Sequence, residues 1–232
     1  MADKININKV RVFVDNNLNF GSPVGIVLDE ENHLSQKRRQ EITEYVGFSE
    51  TVFIDNLDNA EVSVYSHQGH IPFAGAPLLG TAWFIESRLN KNIENITTMS
   101  KQTKVLHDEG LPWIMIDAKD EVILPNWKLE MLKSPEDVEN IKPDERPKDD
   151  HSVVWSWIDR TLRVAKVRAR TFAPGWNITE EEANGSGSML LAIKTGRSLL
   201  IHHGQGSIIR ATSGTSGTAI GGLVKEDPTI SI

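Results

Sequence analysis

Hydrophobic and polar positions alternate first over Val10-Arg11-Val12-Phe13-Val14-Asp15, which predicts a strand. Asn16 to Pro23 breaks the pattern with Asn-Asn and Gly-Ser-Pro, and Val24 to Leu28 resumes it, so residues 10–28 read as a hairpin. The period then changes. Ser35 stands where an N-cap belongs, Leu34 precedes it as a hydrophobic staple, and Gly47 ends a helix through about Val46. Ile42, Tyr45 and Val46 lie on one face, and the charges of Lys37, Arg38 and Arg39 lie mostly on the other. Strands follow from Thr51 and over Glu61 to Tyr65, with a turn at Gln68-Gly69. A second helix is expected over about 77–89, with Pro77 at its first position. It carries almost no charge before Glu86, which predicts a buried, central helix.

The second half repeats this rhythm faintly. Two or three short strands fill 96–125, and Ser134-Pro135 caps one short helix inside a charged stretch. Strands are expected over Ser152–Trp157 and Val164–Phe172, followed by a long polar loop from Ala173 to Gly187. A short helix from Ser186 or Ser188 to Lys194 and four further strands complete the chain. Strand, Tyr65, loop, Gly75 and apolar helix are echoed by strand, Phe172, loop, Gly185 and apolar helix. Each half then reads as a mixed sheet around one apolar helix.

Composition narrows the functional classes. The 232 residues include 39% hydrophobic and 25% charged residues, enough for a large core and too apolar for disorder. A net charge of −7 argues against a dedicated nucleic-acid binder. No apolar run reaches the length of a membrane span, and Met1-Ala2-Asp3-Lys4 does not begin a secretory signal, so the expected location is cytoplasmic. There is no cysteine, which removes disulfides, thiolate metal sites and cysteine nucleophiles.

Three segments carry candidate chemistry. Glu50 lies among apolar neighbours in Phe48-Ser49-Glu50-Thr51-Val52-Phe53, where a semi-dry pocket would make it a usable general base; a solvated strand-start glutamate is the plain alternative. Phe73-Ala74-Gly75-Ala76-Pro77 opens the buried helix with small residues whose amides suit an anion, or makes a tight turn. Glu180-Glu181-Glu182-Ala183-Asn184-Gly185-Ser186-Gly187-Ser188 places three carboxylates before a second small-residue helix start, either as an acidic cap or as a second acid–base group. The histidines of His67-Gln68-Gly69-His70 sit in a turn, and His202 and His203 point to opposite faces of a strand, so neither pair reads as a metal site.

Taken in order, these segments resemble the PhzF-like (phenazine-biosynthesis) family of the diaminopimelate-epimerase fold. The resemblance rests on Phe20-Gly21-Ser22-Pro23-Val24, Gly47 to Phe53, Ile71 to Ala82, Arg168 to Pro174 and Glu180 to Ser186. It implies an α+β fold of two pseudo-symmetric lobes, each a mixed β-sheet wrapped around a central α-helix, expected at 1–118 and 119–232. It also implies a cofactor- and metal-independent isomerase or epimerase-like homodimer. Such an enzyme would move a proton on a small carboxylate-bearing metabolite in a cleft between the lobes. Carried over by position, Glu50 is the acid–base group, with Glu181 and Ser186 beside it. Gly75, Ala76, Asn184, Gly185 and Gly187 fall in the substrate-binding segments. Ala76 stands where the family's site histidine is usual, Glu181 where its aspartate is usual, and Glu182 where its proline is usual. These departures give the alternative of a metabolite-binding protein that no longer catalyses. No partner of nucleic acid or membrane is expected.

Overall fold

A computed structural model describes residues 4–99 and 101–232; the terminal Met1-Ala2-Asp3 read above lies outside them. The first strand, β1 (Asn6–Val14), begins earlier than the alternation suggested, because Asn6 and Asn8 interrupt an apolar series whose Ile7 is nonetheless fully buried. β2 (Ser22–Leu28) lies beside it. Helix α1 (Gln36–Val46) has the expected ends: Ser35 Oγ accepts from the Arg38 amide, and Gly47 closes the last turn. Arg39 departs from the expectation. It is buried, and its guanidinium meets Asp29 at 2.6 Å and Asp55 at 2.7 Å. A helical-face argument sees only the spacing along α1, whereas these two carboxylates arrive from elsewhere in the chain and satisfy a cation that could not be buried alone.

β3 (Glu50–Asn56), β4 (Glu61–Ser66) and β5 (Gly69–Ile71) lead into helix α2 (Gly75–Leu89). Every residue of α2 from Gly75 to Ala82 is buried. A Cβ on Gly80 would lie 2.7 Å from the Val12 side chain, so this glycine lets the helix settle closely onto β1. The helix starts two positions before Pro77. Pro is tolerated there because the first-turn amides have no intrahelical acceptor to lose. Then come β6 (Asn95–Thr98), β7 (Lys101–Asp108) and β8 (Leu111–Asp117).

The remainder runs β9 (Lys128–Met131), α3 (Pro135–Glu139), β10 (Ser152–Asp159), β11 (Ala165–Ala173), β12 (Ile178–Glu181), α4 (Gly185–Thr195), β13 (Leu199–His203), β14 (Ser207–Gly214), β15 (Gly217–Gly221) and β16 (Leu223–Ser231). Strand β12 occupies ground expected to be loop. Its two glutamates and the turn residues on either side obscure the Ile178-Thr179 start, and pairing with β11 supplies its order, Thr171 opposite Glu181 and Ala173 opposite Ile178.

Two sections of chain share one topology. In the first, β2 pairs parallel with β3, β3 antiparallel with β4, β4 antiparallel with β5 and parallel with β6, and β6 antiparallel with β7. In the second, β9, β10, β11, β12, β13 and β14 take the same senses in the same order. Helices α1 and α3, and α2 and α4, occupy matching places in this order. The faint echo in the sequence is thus a repeat of architecture: an α+β fold made of two mixed-sheet lobes, each with one central helix.

The compact units are not contiguous. One comprises the described residues through Val12, Pro23–Ile114 and Val224–Ile232; the other comprises Phe13–Ser22 and Met115–Leu223. Both units therefore draw on both sides of residue 118. Pro228 sits in β16, which ends the strand order beside β1, an edge position of the kind where proline is found within sheets. No helix among the described residues is long and apolar enough to cross a membrane.

Candidate active site

The three successive glutamates before α4 take three different partners. Glu180 forms a two-pronged ion pair with Arg170, 2.7 Å at each bond. The Glu182 carboxylate accepts from the amides of Gln205, Gly206 and Ser207 and from the Ser207 hydroxyl, and so fastens the β13–β14 turn. The glutamate at a position usually proline is thereby explained as a structural staple. Of the three, Glu180 pairs with a base, Glu182 with amides and a hydroxyl, and Glu181 with a side-chain amide. The Glu181 carboxylate accepts from Asn184 Nδ2 at 2.5 Å.

Asn184, not an acid, is the N-cap of α4: its Oδ1 accepts from the Gly187 amide. Because that amide can only donate, the orientation of the Asn184 side chain is fixed, and its NH2 must face Glu181. Gly187 is required by closeness, since a Cβ there would lie 2.6 Å from both Asn184 Oδ1 and Val153. Ser186 Oγ accepts from the Trp127 indole N–H at 2.9 Å and donates to Asn184 Oδ1 at 3.4 Å. The helix start thus gathers Glu181, Asn184, Ser186 and Trp127 in one hydrogen-bonded row, with Gly185 and Ser186 supplying the leading backbone amides.

Burial decides the electrostatics. Withdrawal from water pushes the Glu181 carboxyl up to about 7, and the Asn184 hydrogen bond opposes this without cancelling it. A carboxyl that exchanges its proton near neutrality is suited to general acid–base work. Next to it, Thr171 lies opposite Glu181 in the β11–β12 pair, and its hydroxyl meets His203 Nε2 at 2.9 Å. His203 Nδ1 meets the Glu182 carbonyl at 2.9 Å. A carbonyl only accepts, so Nδ1 carries the hydrogen and Nε2 accepts from Thr171. Burial holds this ring down to about 4, and it stays neutral at physiological pH.

The other predicted residues lie in the first unit. Glu50 opens β3, partly buried and opposite Ser66 of β4. Gly75 and Ala76 are buried in the first turn of α2. Ala74 at the N-cap provides no side-chain hydrogen bond, so Gly75 and Ala76 carry the two amides ahead of Pro77. In the shared topology Ile71 ends β5 as Glu181 ends β12, and Ala74 matches Asn184. The two helix starts are built alike in backbone and differ in chemistry. Of the predicted residues, Glu181, Asn184, Gly185, Ser186 and Gly187 are brought together in one place.

A cavity of about 730 Å³ on the second unit is lined in part by Arg168, Arg170, Glu139, Glu180, His202 and His203. Both guanidiniums are paired with carboxylates and backbone carbonyls. Arg168 pairs with Glu139 and reaches the carbonyls of Ala169, His202 and Gly204. Arg170 pairs with Glu180 and reaches three carbonyls at the end of α3. The paired arginines of the Arg168–Pro174 segment are therefore scaffolding.

Sequence reading missed Trp127, Thr171 and His203. Trp127 had no local signal, because its partner is 59 positions away. His203 was read only for metal chemistry.

Comparisons with known proteins agree with this architecture. Residues 10–109 match the model of the phenazine biosynthesis-like (PhzC-PhzF) protein family. A trans-2,3-dihydro-3-hydroxyanthranilate isomerase of Pseudomonas chlororaphis is 25% identical over 218 residues, covering 80% of this chain and 78% of that protein. A Schizosaccharomyces pombe protein named antisense-enhancing sequence 1 is 29% identical over 120 residues, covering 49% of this chain and 38% of its own. Among solved structures, a PhzF-family phenazine biosynthesis protein of Enterococcus faecalis superposes with a TM-score of 0.78 at 18% identity, covering 99% of both chains. A hydroxyproline epimerase of Agrobacterium vitis gives 0.57 at 10% identity, covering 100% of this chain and 93% of that one. Over residues 10–109 the chain is similar to the phenazine biosynthesis-like family, and along its length it has the α+β fold of the PhzF-family structures.

Proposed function

We propose that this protein is an isomerase that shifts a proton on a small carboxylate-bearing metabolite, with Glu181 as an acid–base group. The observation that carries this reading is the Glu181 carboxyl. It is raised to about 7, tied to the N-cap of α4 and set beside helix-start amides that favour an anion. In this reading the amides of Gly185 and Ser186 receive the substrate carboxylate, and the Ser186 hydroxyl adds a donor. Glu181 exchanges a proton with the reacting carbon or with a substituent oxygen. The resemblance adds Glu50 as the group that takes the proton from carbon, and gives Gly75 and Ala76 a share in substrate binding. The chemistry asked of these residues needs neither metal nor cofactor: a carbon-bound proton next to an unsaturated or carboxylate group is removed and returned.

Incubation in heavy water tests it. The panel holds amino acids, hydroxy acids and dihydroaromatic acids, trans-2,3-dihydro-3-hydroxyanthranilate among them. Deuterium gain at carbon is followed by mass spectrometry for the unaltered protein, Glu181→Gln and Glu50→Gln. Exchange that falls by about 100-fold or more in either variant, with the thermal midpoint kept, is the expected outcome. Exchange unaffected by both removes the acid–base assignment. Binding of a panel acid with no exchange in any form would instead support a protein that holds the metabolite without converting it.

A further inference from the structure

The row at the start of α4 has a direction. Trp127 N–H donates to Ser186 Oγ, Ser186 O–H donates to Asn184 Oδ1, and Asn184 Nδ2 donates to Glu181. The middle bond is the weak one, 3.4 Å long, and its acceptor is already taken by the Gly187 amide at 2.5 Å. The Ser186 hydrogen can therefore leave Asn184 for a better acceptor at little cost. The Trp127 bond cannot be exchanged in this way, because an indole nitrogen only donates and the ring is buried, with 6% of its surface exposed. Trp127 is held in turn by an edge-to-face contact with Trp176, ring centres 5.0 Å apart.

We propose that Trp127 is a positioning residue that aims the Ser186 hydroxyl at the substrate anion; the inference rests on the acid–base reading of Glu181 given above. Occupying one lone pair of Ser186 leaves its hydrogen as the group to be placed. Accepting a hydrogen bond also makes that O–H a better donor, since hydrogen bonds in a chain polarise one another. The effect grows as negative charge builds on the substrate, so it belongs to turnover more than to binding.

Trp127→Phe keeps a ring against Trp176 and removes the N–H. If that variant does not fold, benzothienylalanine at position 127 removes the N–H with the bicyclic shape intact. The probe is the panel acid that exchanges fastest with the unaltered protein. Expected is a fall in kcat of about three- to tenfold, the worth of one neutral hydrogen bond, with KM within about twofold. Ser186→Ala should show a similar fall, and the double variant should be no slower than the slower single one. Unchanged kcat in the Trp127 variant overturns the inference, and so do losses that multiply in the double variant. Glu181→Gln separates the two levels of failure. Exchange that survives it overturns the acid–base reading and this inference with it. Exchange lost there but untouched by the Trp127 change overturns the inference alone.

Discussion

Glu181 and His203 meet the same physical condition with opposite consequences for stability. Burial raises the Glu181 carboxyl from 4.5 to about 7, so between those values the folded state holds a proton that the unfolded chain has released. Stability contributed there falls as pH rises. Burial lowers His203 from 6.5 to about 4, so in that window the unfolded chain holds the extra proton and stability rises with pH. The two slopes oppose each other between about pH 4.5 and 6.5. Glu181→Gln removes the first and should gain on the unaltered protein as pH climbs towards about 7. His203→Asn removes the second and should gain as pH falls from about 6.5 to 4. Denaturation midpoints of the three proteins across that range check both signs, and parallel curves would show that neither group is perturbed.

At the scale of elements, the cap of α4 is where stability and chemistry meet. Asn184→Ala removes both the acceptor for Gly187 and the donor to Glu181. It should cost about 1–2 kcal/mol in unfolding free energy. It should also move the Glu181 midpoint above 7, since the lost bond favours the ionised form. Carboxyl carbon NMR of Glu181 reads that shift directly; a midpoint that stays or falls would show that Asn184 does not hold the carboxylate. Elements with local signals were legible from the chain. Ser35 and Gly47 bounded α1, and Ser134 capped α3 with Asp137 completing a reciprocal pair. Five of the candidate residues, Glu181, Asn184, Gly185, Ser186 and Gly187, share one helix start because they lie close together in sequence. Strand β12, the buried Arg39 and the Trp127–Ser186 bond were not legible, for a common reason. Each depends on a partner brought in by tertiary folding, and nothing in the local run of Thr-Glu-Glu, Arg-Arg-Gln or Pro-Asn-Trp announces it.

At the scale of the molecule, the unit that carries Glu50 is completed by residues from the far end of the chain. β16 lies against β1, Asp227 pairs with Arg11 at 2.8 Å, and Ile5 and Ile232 exchange both backbone hydrogen bonds. Ending the chain at Leu223 should strip β1 of its neighbour, expose its open edge and make the protein associate or aggregate. Size-exclusion chromatography and amide exchange of the shortened chain test this. Unchanged protection over β1–β4 would mean that β16 is dispensable. The same interlacing bears on synthesis. All of the second unit, through Leu223, leaves the ribosome before residues 224–232 do. The unit begun first is therefore finished last, and the nascent chain must carry an open first sheet while the Glu181 half of the protein closes. A chaperone acting in that interval would act on the first sheet rather than the second.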